Sequence, residues 1–459
     1  MDVDLIVLRM ISSRESGVAK LKKEKALRTI ARLLIIFLFI GMSFPLGTID
    51  PERNYKAALL EDNHIVLTNV HVFDVSRGTL ILEQDILIEG TQIKAVGRIG
   101  ASEKDVERID LSGRFAFPGL FECHTHLAFL TTLEEKEMIG ELRAFVFNGI
   151  TQVRDLGGPI DVLSKMDKRI SSGEILGPKM FYSGSMLEKP PLFYIKKNKI
   201  LPGLQIGIST KEDVDRVLSE FAGKGACMVK TYGKMDLDVY QHILFVAKKL
   251  GLKVVHDPGR YLFHGVPMDT AIDLGVRSIE HCVAPWPVVL KDELKKEHDR
   301  LMSENVEEAA RESFVERVIK LGFESISIEK FQRLIDKMLE NNVYICPTLW
   351  MYGYDDIFTK EFIKNKVKIL VGHDGPSPSL LFAEMKLLRD RGLSEVEIIR
   401  GATIYPAQWL GVEDRYGSIS PGMLANLVIL DKNPLEDIGN FESPFMVIKN
   451  GQAIFVKSR

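Results

Sequence analysis

The chain has 459 residues, 46% of them hydrophobic and 27% charged, with a formal net charge of −3. Disorder is therefore not the default, and no basic stripe interleaved with aromatics points to nucleic acid. The four cysteines, Cys123, Cys227, Cys282 and Cys346, are scattered and form no C-x-x-C pair, which excludes a disulfide scaffold and a zinc ribbon.

Residues 20–32, KLKKEKALRTIAR, carry six positive charges and one negative, and the apolar run LLIIFLFIGMSFPLG follows at 33–47. About 15 apolar residues suit a secretory signal better than a spanning helix, which needs roughly 20. An uncleaved anchor, with its basic flank on the cytoplasmic side, is the alternative. Residues 1–50 are thus set apart as a leader, signal peptide or membrane anchor. The protein is expected to be exported or membrane-held through this segment, and otherwise cytoplasmic.

Residues 62–115 contain short alternating runs, HIVLTNVHVFD, DILIEGTQIKAVGRI and ERIDLSGRFAFP, broken at Gly, Asn and Asp. Residues 413–457 have the same texture, with a turn at Asn450-Gly451. Two β-rich ends predict one small β-sandwich domain built from both termini. Between them, residues 116–412 alternate apolar runs with amphipathic helical stretches. Eight strand candidates appear, at 115–124, 149–154, 179–184, 226–231, 252–257, 276–281, 342–348 and 368–373. That alternation predicts α/β architecture, a (β/α)8 TIM barrel. Two longer intervals, 185–210 and 283–340, are expected to emerge at the C-terminal face of the barrel and cover a site there.

The polar residues fall at one end of these strands. FAFPGLFECHTHLAFL carries His124 and His126, spaced i, i+2, at the end of the first strand. Such a pair projects to one face and makes good metal ligands, although the pattern alone is weak. Lys230 ends the fourth strand, His256 the fifth and His281 the sixth, and Asp374 follows the eighth. In a barrel these ends converge on one mouth, and that convergence predicts a metal site. Lys230 is anomalous there, because an unpaired buried ammonium is costly. A neutral lysine reacts with CO2 to give a carbamate, an anionic group with two oxygens able to bridge two metal ions. Pairing with a carboxylate is the plainer alternative.

The motifs FPGLFECHTHL, GITQVRDLGG, VKTYG, VVHD, SIEHC and GHD, with the long C-terminal run EIIRGATIYPAQWLGVEDRYGSISPGMLANLVILDKNPLEDI, resemble the amidohydrolase superfamily. The likeness is to its imidazolonepropionase-like and metal-dependent prolidase-like branch, and it spans about 64–457. The resemblance implies that His124, His126 and Asp374 hold one divalent ion, most simply zinc, and that His256 and His281 hold a second. A CO2-derived carbamate on Lys230 would bridge them together with a hydroxide, and Asp374 would carry the catalytic proton. The implied reaction is hydrolysis of an amide or peptide C–N bond in a small substrate, as in a prolidase-like dipeptidase. Tyr232, His373 and Arg154 are candidate substrate contacts. Packing is the alternative for the first two, an extra metal ligand a further one for His373, and a salt bridge with Asp155 or another acid the alternative for Arg154. This chain has Glu122 where the family commonly has Asp, and SGSMLEKPPLFY has no histidine where dipeptidase-like members carry one. A mononuclear deaminase or cyclic-amide hydrolase of the same fold is the second reading, against which Lys230 argues. A non-catalytic binding protein that retains the barrel is the third.

Overall fold

The computed structural model describes residues 64–100, 106–259, 265–302, 306–353 and 356–456. The leader expected over residues 1–50 lies outside them. Among the described residues, no helix is long and apolar enough to cross a membrane.

The N-terminal alternating runs form β1 (His64–Asp74), β2 (Thr79–Glu89), β3 (Gln92–Gly97), β4 (Glu107–Asp110) and β5 (Phe115–Pro118). The middle of the chain supplies β6 (Leu120–Thr125), β7 (Ile150–Asp155), β8 (Lys179–Tyr182), β9 (Met186–Glu188), β10 (Gln205–Gly207) and β11 (Met228–Tyr232). It continues with β12 (Lys253–Asp257), β13 (Ser278–Glu280), β14 (Tyr344–Cys346) and β15 (Lys368–Ile369). The C-terminal end adds β16 (Leu427–Leu430), β17 (Pro444–Lys449) and β18 (Gln452–Val456).

The expected first barrel strand, 115–124, is two strands. Phe115–Pro118 pairs antiparallel with β16, from Leu427↔Pro118 to Leu430↔Phe115, and so joins the terminal sheet. Gly119 is the hinge, since a Cβ there would stand 2.0 Å from Thr151 Oγ1. Both chain ends then share one eight-stranded sheet in the order β18-β17-β16-β5-β1-β2-β3, with β4 on β1. It is a single branched hydrogen-bonded network. Ile65, Leu67, Ile86, Ile429 and Ile448 form its buried core. Asn450 and Gly451, at φ 50° and 79°, make the left-handed turn between β17 and β18.

The middle strands are parallel but not one continuous sheet. β6-β7-β8 form a three-stranded sheet, and β10-β9-β11-β12-β13-β14-β15 a seven-stranded one. The break has a local cause. After β8, Gly184 turns at φ 78° and the inserted β9 takes the place beside β11. Backbone bonds still cross both seams. Cys227 N donates to Tyr182 O at 3.1 Å, Cys123 N to Val371 O at 3.0 Å, and Asp374 N to His124 O at 2.8 Å. Phe121, Cys123, Met228, Val255, Tyr344, Cys346 and Leu370 fill the space the strands enclose.

Helices pack outside. Helix α1 (Lys211–Gly223) starts with a capping box between Thr210 and Asp213, a feature worth about 1 kcal/mol, and buries Val214, Val217, Leu218 and Phe221. Helix α2 (Leu237–Leu250) ends at Gly251 in the left-handed conformation, which satisfies its last carbonyls. The interval 283–340 is a set of helices, including Asp292–Leu301, Glu308–Leu321 and Ile328–Glu340. The other long interval, 185–210, reaches the strand ends. Its Tyr194 and Phe193 rings lie 5.2 and 6.0 Å from the ring of Tyr232 at the end of β11.

Candidate metal centre

β6 delivers His124, and His126 follows at the start of the next turn. Asp374 sits beyond β15 at φ 61°, a left-handed conformation that is strained for a non-glycine residue and recurs at functional sites. Its Oδ1 lies 3.0 Å from His126 Nε2 and 3.4 Å from His124 Nε2. One ligand atom from each of His124, His126 and Asp374 falls within 4.8 Å of the others, close enough to share an ion.

The second nitrogens of these histidines are already committed. His124 Nδ1 lies 2.8 Å from Glu280 Oε2, and His126 Nδ1 lies 3.0 Å from Gly157 O. Both partners are acceptors, so a proton on each Nδ1 would leave each Nε2 directed toward Asp374 with a lone pair. This is the tautomer that metal ligation requires. Burial, followed by the Lys230 charge, holds the His124 pKa well below the ordinary histidine value. Burial opposes ionisation of Asp374, yet His124 and His126 outweigh it and hold its carboxyl below the usual range.

Arg154 does not reach the mouth as a substrate contact. It is fully buried beneath the histidines. Its Nη2 donates to both oxygens of Glu280 at 2.8 and 3.0 Å, its Nη1 to Ser278 Oγ at 2.7 Å, and its Nε to Cys123 O. The salt-bridge alternative holds, with Glu280 as the partner and not Asp155. Asp155 instead accepts from the Leu127 and Gly157 amides, which fixes the turn carrying His126.

Lys230 is buried, with Nζ 3.2 Å from His124 Nε2 and 3.0 Å from Asp257 Oδ2. His281 comes to the same place. β13 ends at Glu280, and His281 adopts φ 71° instead of continuing the strand. Its Nε2 lies 2.9 Å from Asp257 Oδ2 and its Nδ1 lies 2.8 Å from Thr348 Oγ1.

His256 is not brought to this cluster. In the β11–β12 register, Lys230 pairs with Val255 and Thr231 with His256. Lys230 and Val255 face the enclosed space, while His256 turns to the helix layer. There its Nδ1 lies 3.0 Å from Tyr240 Oη on α2 and 3.4 Å from Thr231 Oγ1. Burial lowers its pKa to about 4. Strand alternation is the reason: the inward position belongs to the next residue, Asp257. The motif VVHD contained that signal, since register assigns the face to the aspartate.

His373 is buried behind the site, with Nε2 3.1 Å from Glu122 Oε2 but not aligned for a hydrogen bond. Burial drives its pKa to about 3. It joins no ligand group, in keeping with the packing alternative. Tyr232 is buried in the aromatic wall, and Lys230 Nζ lies 5.9 Å from its ring centre. Across the mouth, the Tyr352 ring stands 4.5 Å from that of His281. A second trio, His124, Glu280 and Cys346, also falls within 4.8 Å. Its carboxylate is taken by Arg154, and burial pushes the Cys346 thiol well up, so it is the poorer ligand set.

The model of the Amidohydrolase family matches residues 289–454. A dihydroorotase of Trichlorobacter lovleyi is 31% identical over 93 residues, 20% of this chain and 21% of that protein. The match thus spans about a fifth of the length of that curated relative. A Xaa-Pro dipeptidase structure with bound methionine shares 19% identity at a TM-score of 0.66, covering 85% of this chain and all of its own. Phenylurea hydrolase B shares 18% at a TM-score of 0.64, covering 85% of this chain and 96% of its own. These structural likenesses show a TIM-barrel-like α/β fold. Over residues 289–454 the chain is similar to the Amidohydrolase family, and the barrel-like likenesses place the His124–His126–Asp374 cluster on a fold of that kind.

Proposed function

We propose that the protein is a metal-dependent hydrolase of a C–N bond, amide or peptide, in a small substrate. The observation that carries the reading is the convergence of His124, His126 and Asp374 within 4.8 Å, with both histidines held through Nδ1 and directing Nε2 toward Asp374. Nitrogen and oxygen donors of this kind suit zinc. When bound, a divalent ion supplies an acidified water and polarises the scissile carbonyl.

The chain's own residues supply the rest. Asp374 takes the proton of the attacking water and passes it to the leaving amine. The pair Arg154–Glu280 holds the His124 ring, and Gly157 O holds that of His126. Tyr232, Tyr194 and Phe193 form an aromatic wall that excludes water from one side of the mouth.

The centre is proposed as binuclear, with Lys230 carboxylated. The buried Nζ between His124 and Asp257 supports this reading. A carbamate there would stand beside the Asp257 carboxylate, so a second cation is needed to make that neighbourhood favourable. Carbamate and second ion therefore stand together. For the substrate, an Xaa-Pro dipeptide is the first class to test, by likeness to the dipeptidase.

The test is amine release from a panel of N-acyl amino acids and dipeptides, before and after chelation. Release that stops with chelator and returns with zinc supports the reading. Release that chelator leaves unchanged contradicts it.

A further inference from the structure

Beside the mouth, the loop 189–207 presents Phe193, Ile195 and Ile200 to solvent among lysines, and we infer that this crest docks on an anionic phospholipid bilayer. The inference does not depend on the metal-hydrolase reading and concerns an outer surface of the molecule.

The loop is held open from its base. There Glu188 and Gln205 are buried. Glu188 Oε2 accepts from Phe193 N at 2.7 Å and from Gln205 Nε2 at 2.8 Å. Gln205 Oε1 accepts from Tyr194 N at 2.9 Å, and the Gln205 backbone exchanges two bonds with the Asn198 side chain, both at 3.0 Å. Between these pins runs a short helical stretch, in which Asn198 N donates to Tyr194 O and Leu201 N to Lys197 O. Helical spacing divides its side chains. Tyr194 and Asn198 share the inward face with the buried Leu201. Ile195, Lys196, Lys199 and Ile200 share the outward face, and all four are exposed, the isoleucines at 56% and 57%.

Scattered exposed apolar side chains are ordinary, but here three fall within the short span Phe193 to Ile200. Residues 189–210 hold four lysines and no acidic residue. An aliphatic crest rimmed by lysines fits the boundary between phosphate headgroups and acyl chains. The isoleucines enter the apolar layer while the ammonium groups stay with the phosphates. A second copy is a poorer occupant, because a two-fold interface would set these lysines against one another. Residues 20–47, a basic run followed by an apolar one, independently suit a chain delivered to or held at a membrane. Tyr194 and Phe193 of the same loop lie against Tyr232 at the end of β11, so docking would bring the mouth to the lipid surface.

The experiment places a fluorescent reporter on the crest of the full chain. Ile195→Trp is mixed with phosphatidylglycerol vesicles whose acyl chains are brominated, and quenching is followed against lipid concentration. The signal of the wild-type chain, with its three tryptophans, is subtracted. Phe245→Trp, on α2, reports association that does not use the crest. Both probe sites are exposed, so neither substitution disturbs the core. Quenching at position 195 is expected, well above that at position 245. Adding Lys196→Gln and Lys199→Gln to Ile195→Trp is expected to raise the lipid needed for half-quenching about 25-fold, or about fivefold per lysine. Equal quenching at the two positions overturns the inference, since the chain would then bind through another part. So does quenching that the lysine substitutions leave unaltered, or no quenching at position 195. A blue shift at position 195 that follows protein concentration without lipid also overturns it, because a second copy would then cover the crest.

Discussion

Glu280 Oε2 lies 2.8 Å from His124 Nδ1, and neither side chain is exposed to solvent. The same carboxylate is gripped by Arg154, so the orientation of the first metal ligand is set two residues deep. Removing a carboxylate partner of a ligating histidine typically costs 10–100-fold in metal affinity. Glu280→Gln is therefore expected to weaken zinc binding by about that factor, measured by competition with a chromophoric chelator. Unchanged affinity would mean that the contact does not orient His124.

Arg154 makes a distinct prediction, about stability. Arg154→Met leaves Glu280 buried without its cation, which is expected to cost about 3–5 kcal/mol. Urea unfolding of wild type and variant, both stripped of metal, would measure it. A loss below about 1 kcal/mol, the range of surface pairs, would show that the buried pair does not support the barrel.

Glu384 gives a pH signature. It lies on the helix Ser379–Asp390 and accepts from the Leu349 and Trp350 amides at 2.8 and 2.7 Å. Those amides open the turn after Thr348, whose hydroxyl holds His281. Burial raises the Glu384 pKa from 4.5 to about 8. A carboxyl with a raised folded pKa contributes its full stability below about 4.5, and that contribution is lost as pH climbs through about 8. Relative to Glu384→Gln, which does not titrate, wild type should thus lose stability across this window. Unfolding midpoints for both chains across it check this. A wild-type-minus-variant stability that rises with pH would contradict the sign.

The aromatic wall should act on substrate binding more than on chemistry. Tyr232→Ala removes the ring that Tyr194 and Phe193 pack against. KM is expected to rise about tenfold or more, with kcat falling less, the pattern of lost uniform binding. Steady-state kinetics on the best substrate of the panel would show it. A fall in kcat at constant KM would place Tyr232 in the reacting geometry instead.

The βα alternation and the His124–His126–Asp374 convergence were readable because each depends on local pattern. An apolar run ending in a polar residue is visible in a single segment. Arg154 was harder. Its partner Glu280 lies 126 positions away, and only the packed barrel brings them together. His256 shows the same limit at finer scale. The motif VVHD marks where a ligand is needed, but strand pairing decides whether His256 or Asp257 faces inward. His281 is the reverse case, reaching the site through a left-handed backbone that no residue pattern announces. The division of the middle strands into two sheets likewise came from Gly184 and the inserted β9, a tertiary event.

The most direct measurement is anomalous diffraction at the zinc edge from crystals of the full chain grown with zinc. The account predicts a peak about 2.0–2.2 Å from His124 Nε2, His126 Nε2 and an oxygen of Asp374. A zinc peak elsewhere, or none at these three side chains, would contradict it.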